Sequence, residues 1–216
     1  FARDPLKKGL NFYLSGDGKK FTKFGGDPAI PWIMPNHFDS QNVIFWSEIE
    51  SQYVMYARYM VGNDGKIIDT NEYLNLLQNN LEHLMVKDRS RDEYIRSIAR
   101  ATSSDFENWS EFTPMEYSDT DSITPSAQLY TNQTTPYFRA NHIYISLPGR
   151  IFFGKLKNHN SLYEPLYPSP TGDCSDGVLM TTRAGSTRYD FTFRESRLRP
   201  GVGDENWTTR NNYPAL

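Results

Sequence analysis

Cysteine is almost absent from this sequence. Cys174 stands alone among 216 residues, which excludes an internal disulfide, and no Cys/His spacing offers a structural zinc site. Long apolar runs are missing as well: nothing approaches the roughly 18 consecutive apolar residues of a membrane-spanning helix. There is no basic excess. A net charge of −3 argues against a nucleic-acid-binding surface, which ordinarily shows as clustered Lys and Arg. Apolar residues are few, 38% against about 45–50% in an ordinary globular chain. What is plentiful is aromatic: 14 Tyr, 13 Phe and 4 Trp. Burial must therefore lean on rings, which favours β-structure. The chain opens on Phe1 with neither Met nor a charged-then-apolar leader, which reads as a processed chain or a fragment.

The clearest periodic unit is 42–46, a polar turn at 47–51, and 52–59. Two short aromatic and β-branched runs joined by a short loop predict a hairpin. In the second run Tyr53, Met55, Ala57 and Tyr59 fall on one face and Val54, Tyr56 and Arg58 on the other, so one face is expected to bury and the other to be mixed. Further strands at Ser97–Thr102 and Trp109–Phe112 complete a four-stranded antiparallel sheet. Between the second and third strands, Asp69-Thr-Asn-Glu72 has capping-box spacing. Leu74, Leu77, Leu81 and Leu84 follow at helical spacing, predicting an inserted amphipathic helix over 71–86.

An internal repeat organises the rest. Ser15-Gly-Asp17-Gly-Lys-Lys-Phe21 and Ser103-Ser-Asp105-Phe-Glu-Asn-Trp109 share Ser, Asp two residues on, and an aromatic four further on. A looser copy at 178–189 replaces the Asp by Ala184 and lengthens the turn by one residue. The spacing has a local reason: a strand ends at Ser, the Asp side chain caps the turn, and the aromatic starts the returning strand. Recurrence of one hairpin, each copy between the third and fourth strands of a sheet, predicts an all-β fold. Radially arranged four-stranded blades of a β-propeller are favoured over a sandwich.

Arg96-Ser-Ile-Ala-Arg-Ala-Thr-Ser-Ser-Asp105-Phe-Glu-Asn-Trp109 resembles the blade hairpin of five-bladed propeller glycosidases, the superfamily around glycoside hydrolase families 32 and 43. Phe38-Asp-Ser-Gln-Asn42, Arg96-Ser-Ile98, Ser175-Asp-Gly177 and Arg199-Pro-Gly201 together look like a bacterial family-32-like branch of glycosyl hydrolases, and that likeness spans nearly the whole chain. It implies a glycosidase, or a non-catalytic carbohydrate-binding relative, in a periplasmic or secreted setting. It implies a carbohydrate partner, neither nucleic acid nor membrane, and leaves the oligomeric state open. No cofactor is expected, and a channel calcium ion has no signal in the sequence. The Trp-x-Asn-Asp-Pro-Asn-Gly opening and the Glu-Cys motif of invertases are absent, which argues against fructoside hydrolysis. A five-bladed ring needs about 250–300 residues at roughly 50–60 per blade. The chain is thus expected to be one incomplete propeller domain over 1–216, with blade parts at about 1–30, 38–115, 125–195 and 196–216.

Glycoside hydrolysis needs two carboxyl groups across the scissile bond. Asp39, just before the strand at Val43 and beside Gln41 and Asn42, is the first candidate, with an Asx turn as the plainer reading. Asp176 precedes another strand and serves equally as a turn residue. Glu195 lies among Arg194, Arg197 and Arg199, which would favour its ionised form and suit a base or nucleophile; an acid role for it rests on the resemblance alone. Asp4, in Arg3-Asp-Pro5, looks like the sugar-binding Asp of a family-32 motif. Arginine forks suit sugar hydroxyls and acidic substituents, which makes Arg58, Arg96, Arg183, Arg199 and Arg210 candidate contacts. Hydrogen bonding between blades is the alternative. Tyr137 and His142 are expected where a first strand passes the channel, and Trp207 as a stacking surface or a buried ring.

Overall fold

The computed structural model describes residues 2–4 (backbone only), 9–31, 37–38, 41–62, 65–66, 68, 94–152, 174–199 and 214. Among them the regular structure is entirely β-strand, so the all-β expectation holds. The helix expected over 71–86 lies outside the described residues.

The first sheet is built on β2 (Gly9–Leu14). It pairs with β1 (Ala2–Asp4) on one side and with β3 (Thr22–Phe24) and β4 (Ile30–Pro31) on the other, all antiparallel. The second is a four-stranded antiparallel meander of β5 (Val43–Ser47), β6 (Gln52–Gly62), β7 (Tyr94–Ser103) and β8 (Thr113–Pro114), in chain order. The last strand begins later than the expected Trp109. The indole of Trp109 is taken up by the turn, its Nε1 donating to Phe106 O at 3.1 Å. Beyond it come β9 (Glu116–Tyr117), β10 (Gln128–Leu129), β11 (Thr135–Tyr137), β12 (Ala140–Ser146) and β13 (Gly149–Phe152). The described chain continues with β14 (Cys174–Gly177), β15 (Met180–Arg183) and β16 (Arg188–Tyr189).

These later strands pair antiparallel as β10-β13-β14 and β11-β12-β15, while β16 runs parallel to β9. Pro148 separates β12 from β13. It has no N–H to donate to a ladder, and its carbonyl instead accepts from Val178 N at 3.1 Å, between β14 and β15.

Register and alternation assign the faces of the second sheet. Val54 and Tyr56 on β6, Ile98 on β7 and Val43 and Phe45 on β5 pack in one cluster with Tyr144, Met180, Tyr189 and Phe191. Met55 and Ala57, with Ile44 beside them, pack in another with Leu10, Phe12 and Ile30 of the first sheet. The division of β6 into two faces is as expected, but the expected mixed face is corrected: from Val54 to Gly62 every residue is buried. A sheet covers each side, and Arg58, the polar member, is accommodated by partners described below.

The repeat has a common geometry in its first two copies. Asp17 Oδ1 accepts from the N–H groups of Lys19 and Lys20 at 2.8 Å and from Ser15 Oγ at 3.1 Å. Asp105 Oδ1 accepts from Glu107 N at 2.9 Å, Asn108 N at 2.7 Å and Ser103 Oγ at 3.0 Å. The next residue turns left-handed in both, Gly18 at φ 70° and Phe106 at φ 67°. For a bulky side chain that conformation costs about 1–2 kcal/mol. Phe106 is held in it by ring contacts to Phe12 at 4.6 Å, Tyr53 at 4.8 Å and Trp109 at 5.7 Å. The second copy joins the third and fourth strands of its sheet, as expected. The third copy does not: past β15 the returning chain meets that sheet only at the isolated Thr181–Asp190 bridge, while β16 pairs with β9. The first differs, being entered from β2, because the 25–29 bend divides the returning chain into β3 and β4, both of which pair with β2.

Candidate functional site

The candidate residues divide between the two ends of the sheets. Tyr137, His142 and Arg183 lie at the end that carries the β11–β12 turn and the third Ser-x-Asp-like hairpin, where Ile143 pairs with Arg183. Seven residues at about 3.3 Å each put Arg183 roughly 20 Å from Asp176 along β14 and β15. The structure therefore does not bring Tyr137, His142 and Arg183 to the carboxylates, because β11 is already turning into its hairpin at Tyr137.

Two polar clusters occupy the opposite end. In the first, Arg58 Nη2 donates to Tyr130 O at 3.2 Å and its guanidinium lies 4.7 Å from the Tyr130 ring centre. Arg96 approaches the same ring at 5.8 Å, and its backbone N and Nη1 donate to Gln128 Oε1 at 2.9 and 3.2 Å. Such contacts let a guanidinium enter a protein interior, by cation–π attraction and hydrogen bonds from part of its donor fork. Asn132 Nδ2 donates to Gln41 O at 3.4 Å, and Asn42 Nδ2 to Phe38 O at 3.2 Å. The amide oxygens of Gln41 and Asn42 are buried, with no hydrogen-bond donor among the described residues. Gln41, Asn42, Arg58 and Arg96 are thus brought to one end. Tyr130 and Asn132 belong with them and were missed. Their signal was positional, since 130–134 leads into β11 as 41–42 leads into β5.

The second cluster lines a groove of about 450 Å³. Asp176 and Arg150 are in register across β13 and β14 and form a two-point ion pair, Nε to Oδ1 at 3.0 Å and Nη2 to Oδ2 at 2.6 Å. Arg150 Nη1 also donates to Arg194 O at 3.1 Å, which ties the loop bearing Glu195 and Arg199 to the sheet. Gly177 fastens that loop a second time: its N donates to Leu198 O at 2.7 Å and its O accepts from Arg197 N at 2.7 Å. Asp176, Glu195 and Arg199 therefore share one groove, with Asp176 buried and Glu195 and Arg199 exposed. The clusters adjoin: Tyr130 N donates to Gly149 O at 2.7 Å, one residue before Arg150. Asp39, Trp207 and Arg210 lie outside the described residues, and of Asp4 only the backbone is described, paired with Gly9.

Away from the groove, the surroundings of His37 and of Glu50 shift their ionisation. His37 is enclosed by Phe38, stacked at 4.1 Å, and by Phe112 at 4.5 Å. Desolvation, with a smaller repulsion from Arg58, pulls its pKa down to about 3. Burial alone would raise the Glu50 carboxyl. The Tyr144 hydroxyl, the Gly185 N–H and the Arg100 guanidinium outweigh that and hold it below the usual carboxylate range. Among the described residues no three His, Cys, Asp or Glu side chains converge as a metal site.

Fold and groove together define an all-β chain of mainly antiparallel sheets that presents the carboxylates and arginines of the groove at one end. No family model, curated protein or solved structure matches it.

Proposed function

We propose that the chain forms part of a β-propeller of the glycosidase type and that the Arg150–Asp176 groove takes a saccharide. The blade reading is supported by β6, the long inner strand of the second sheet, being buried on both faces. In a two-layer sandwich each sheet packs on a single inner face, whereas a blade lies between two neighbours. The glycosidase reading rests on one observation, the sharing of a sugar-sized groove by Asp176 and Glu195 beside Arg199. Hydrolysis of a glycosidic bond requires a carboxylate that stabilises the positive charge of the transition state and a carboxyl that transfers a proton. Asp176, with both oxygens engaged by Arg150, suits the stabilising role. Glu195, exposed on its loop, takes proton transfer, and Asp39 is a third carboxylate for the same chemistry.

The test is release of reducing ends from a polysaccharide panel by the full chain and by Glu195→Gln and Asp176→Asn. Turnover on at least one polymer, lost in both variants while they stay folded, is expected. Undiminished turnover in both variants rejects the assignment. The engaged state of Asp176 also favours a second reading, a binding propeller without catalysis. Saccharide binding by the wild type with no turnover on any polymer selects it.

A further inference from the structure

Among the described residues three guanidinium groups line the groove, and described partners engage two of them. Arg150 is committed to Asp176 through both of that residue's oxygens. Arg194 is turned to the 119 turn, its Nη2 donating to Asp119 O at 3.3 Å and its Nε 3.6 Å from Asp119 Oδ2. Arg199 is exposed at the groove, and among the described residues it enters no ion pair. An unneutralised guanidinium is a planar two-point donor, matched to a carboxylate or a sulfate rather than to a single hydroxyl.

We infer that the groove selects an acidic saccharide, a uronate or a sulfated sugar, through a two-point contact between Arg199 and its anionic substituent. This rests on the groove being the saccharide site. Arg150 serves as scaffold: its bonds to Asp176 and to Arg194 O hold the 194–199 loop against β13. Glu195 on the same loop repels an anion placed beside it, so the acidic group is directed to the Arg199 side. The chain's net charge of −3 opposes non-specific adsorption of a polyanion, and retention of one therefore reports a local site.

The experiment is affinity gel electrophoresis of the full chain through gels carrying polygalacturonate, its fully methyl-esterified form, a sulfated galactan, or neutral xylan and β-glucan. Stronger retardation by an acidic polymer than by the neutral ones is expected. Arg199→Gln weakens acidic binding by about tenfold or more, the scale of a lost charge-assisted pair. Arg139→Gln, at an exposed arginine of the β11–β12 turn at the far end of the sheets, leaves it unchanged. If neutral polymers bind as well as acidic ones, or if the Arg139 variant loses as much as the Arg199 variant, acidic selection is wrong while the saccharide groove stands. If no polymer of either kind is retained, the saccharide reading itself falls.

Discussion

The hydroxyl of Tyr144 on β12 donates to Glu50 Oε1 at 2.7 Å, joining the β5–β6 turn to a strand of a different sheet. The same hydroxyl lies 2.6 Å from Ser47 Oγ, and Arg100 on β7 pairs with the other oxygen of Glu50. One carboxylate thus fastens two sheets at the end away from the groove. Glu50→Ala leaves the half-buried Arg100 uncompensated, and a loss of about 1–3 kcal/mol is expected, below the full scale of a broken buried pair because solvent screens part of the charge. Tyr144→Phe removes the hydroxyl's hydrogen bonds to both Glu50 and Ser47 and costs about 1–3 kcal/mol. Urea unfolding checks both. Equal stability in the Glu50 variant would show that the bond does not hold the sheets together.

Stability should fall as the solution is acidified from neutrality, and His37 sets where the fall begins. Its folded pKa of about 3 lies below the unfolded value near 6.5, so between those values the unfolded chain binds a proton that the folded chain refuses. Stability is full above about pH 6.5 and declines toward pH 3. Glu50 and the other depressed carboxylates add their losses only below the ordinary carboxylate range, about 4. His37→Leu removes the histidine contribution, so its stability curve is flatter than wild type between pH 6.5 and 5. Parallel curves over that interval, measured by denaturant titration, rule out a buried neutral His37.

The two left-handed turn positions respond in opposite ways to substitution. Gly18→Ala imposes a Cβ on φ 70° and costs about 1 kcal/mol or slightly more. Phe106→Gly relieves a similar strain but deletes a ring that meets Phe12, Tyr53 and Trp109. Lost packing of an aromatic, about 3 kcal/mol, exceeds the strain recovered, and a net destabilisation follows. A more stable Phe106→Gly protein in thermal melts contradicts this ranking.

At Gly177 the groove depends on the absence of a side chain. A Cβ there would stand 2.8 Å from Pro214 Cγ and 3.2 Å from Leu198 Cβ, so Gly177→Ala must displace the strap that carries Glu195 and Arg199. Overpacking of this kind costs about 1–3 kcal/mol. Saccharide retention should weaken in a protein whose circular dichroism is unchanged; full retention separates the strap from the site.

Local features were legible in the residues. The alternation of β6, the four-stranded meander and the Ser-x-Asp turns all follow from neighbours a few positions apart, since side-chain direction in a strand and capping in a turn are short-range properties. Asp17 and Asp105 could be assigned their turn role because each bonds to amides two and three residues on. Arg58 shows where such reading ends. Its charge marks its face of β6 as partly wet, yet the face is buried, because Tyr130, which supplies both a carbonyl and a ring, arrives from 72 residues away.

The sequence by itself determined an all-β chain with repeated capped hairpins, together with the candidates Asp176, Glu195 and Arg199. Only the tertiary structure decided which candidates meet. The β13–β14 register sets Arg150 against Asp176, the Gly177 strap carries Glu195 and Arg199 to the same groove, and the strand length holds Tyr137, His142 and Arg183 at the far end. The physical reason is range: hydrogen-bond register and face-to-face packing couple residues far apart in the chain, and no pattern of near neighbours encodes that coupling.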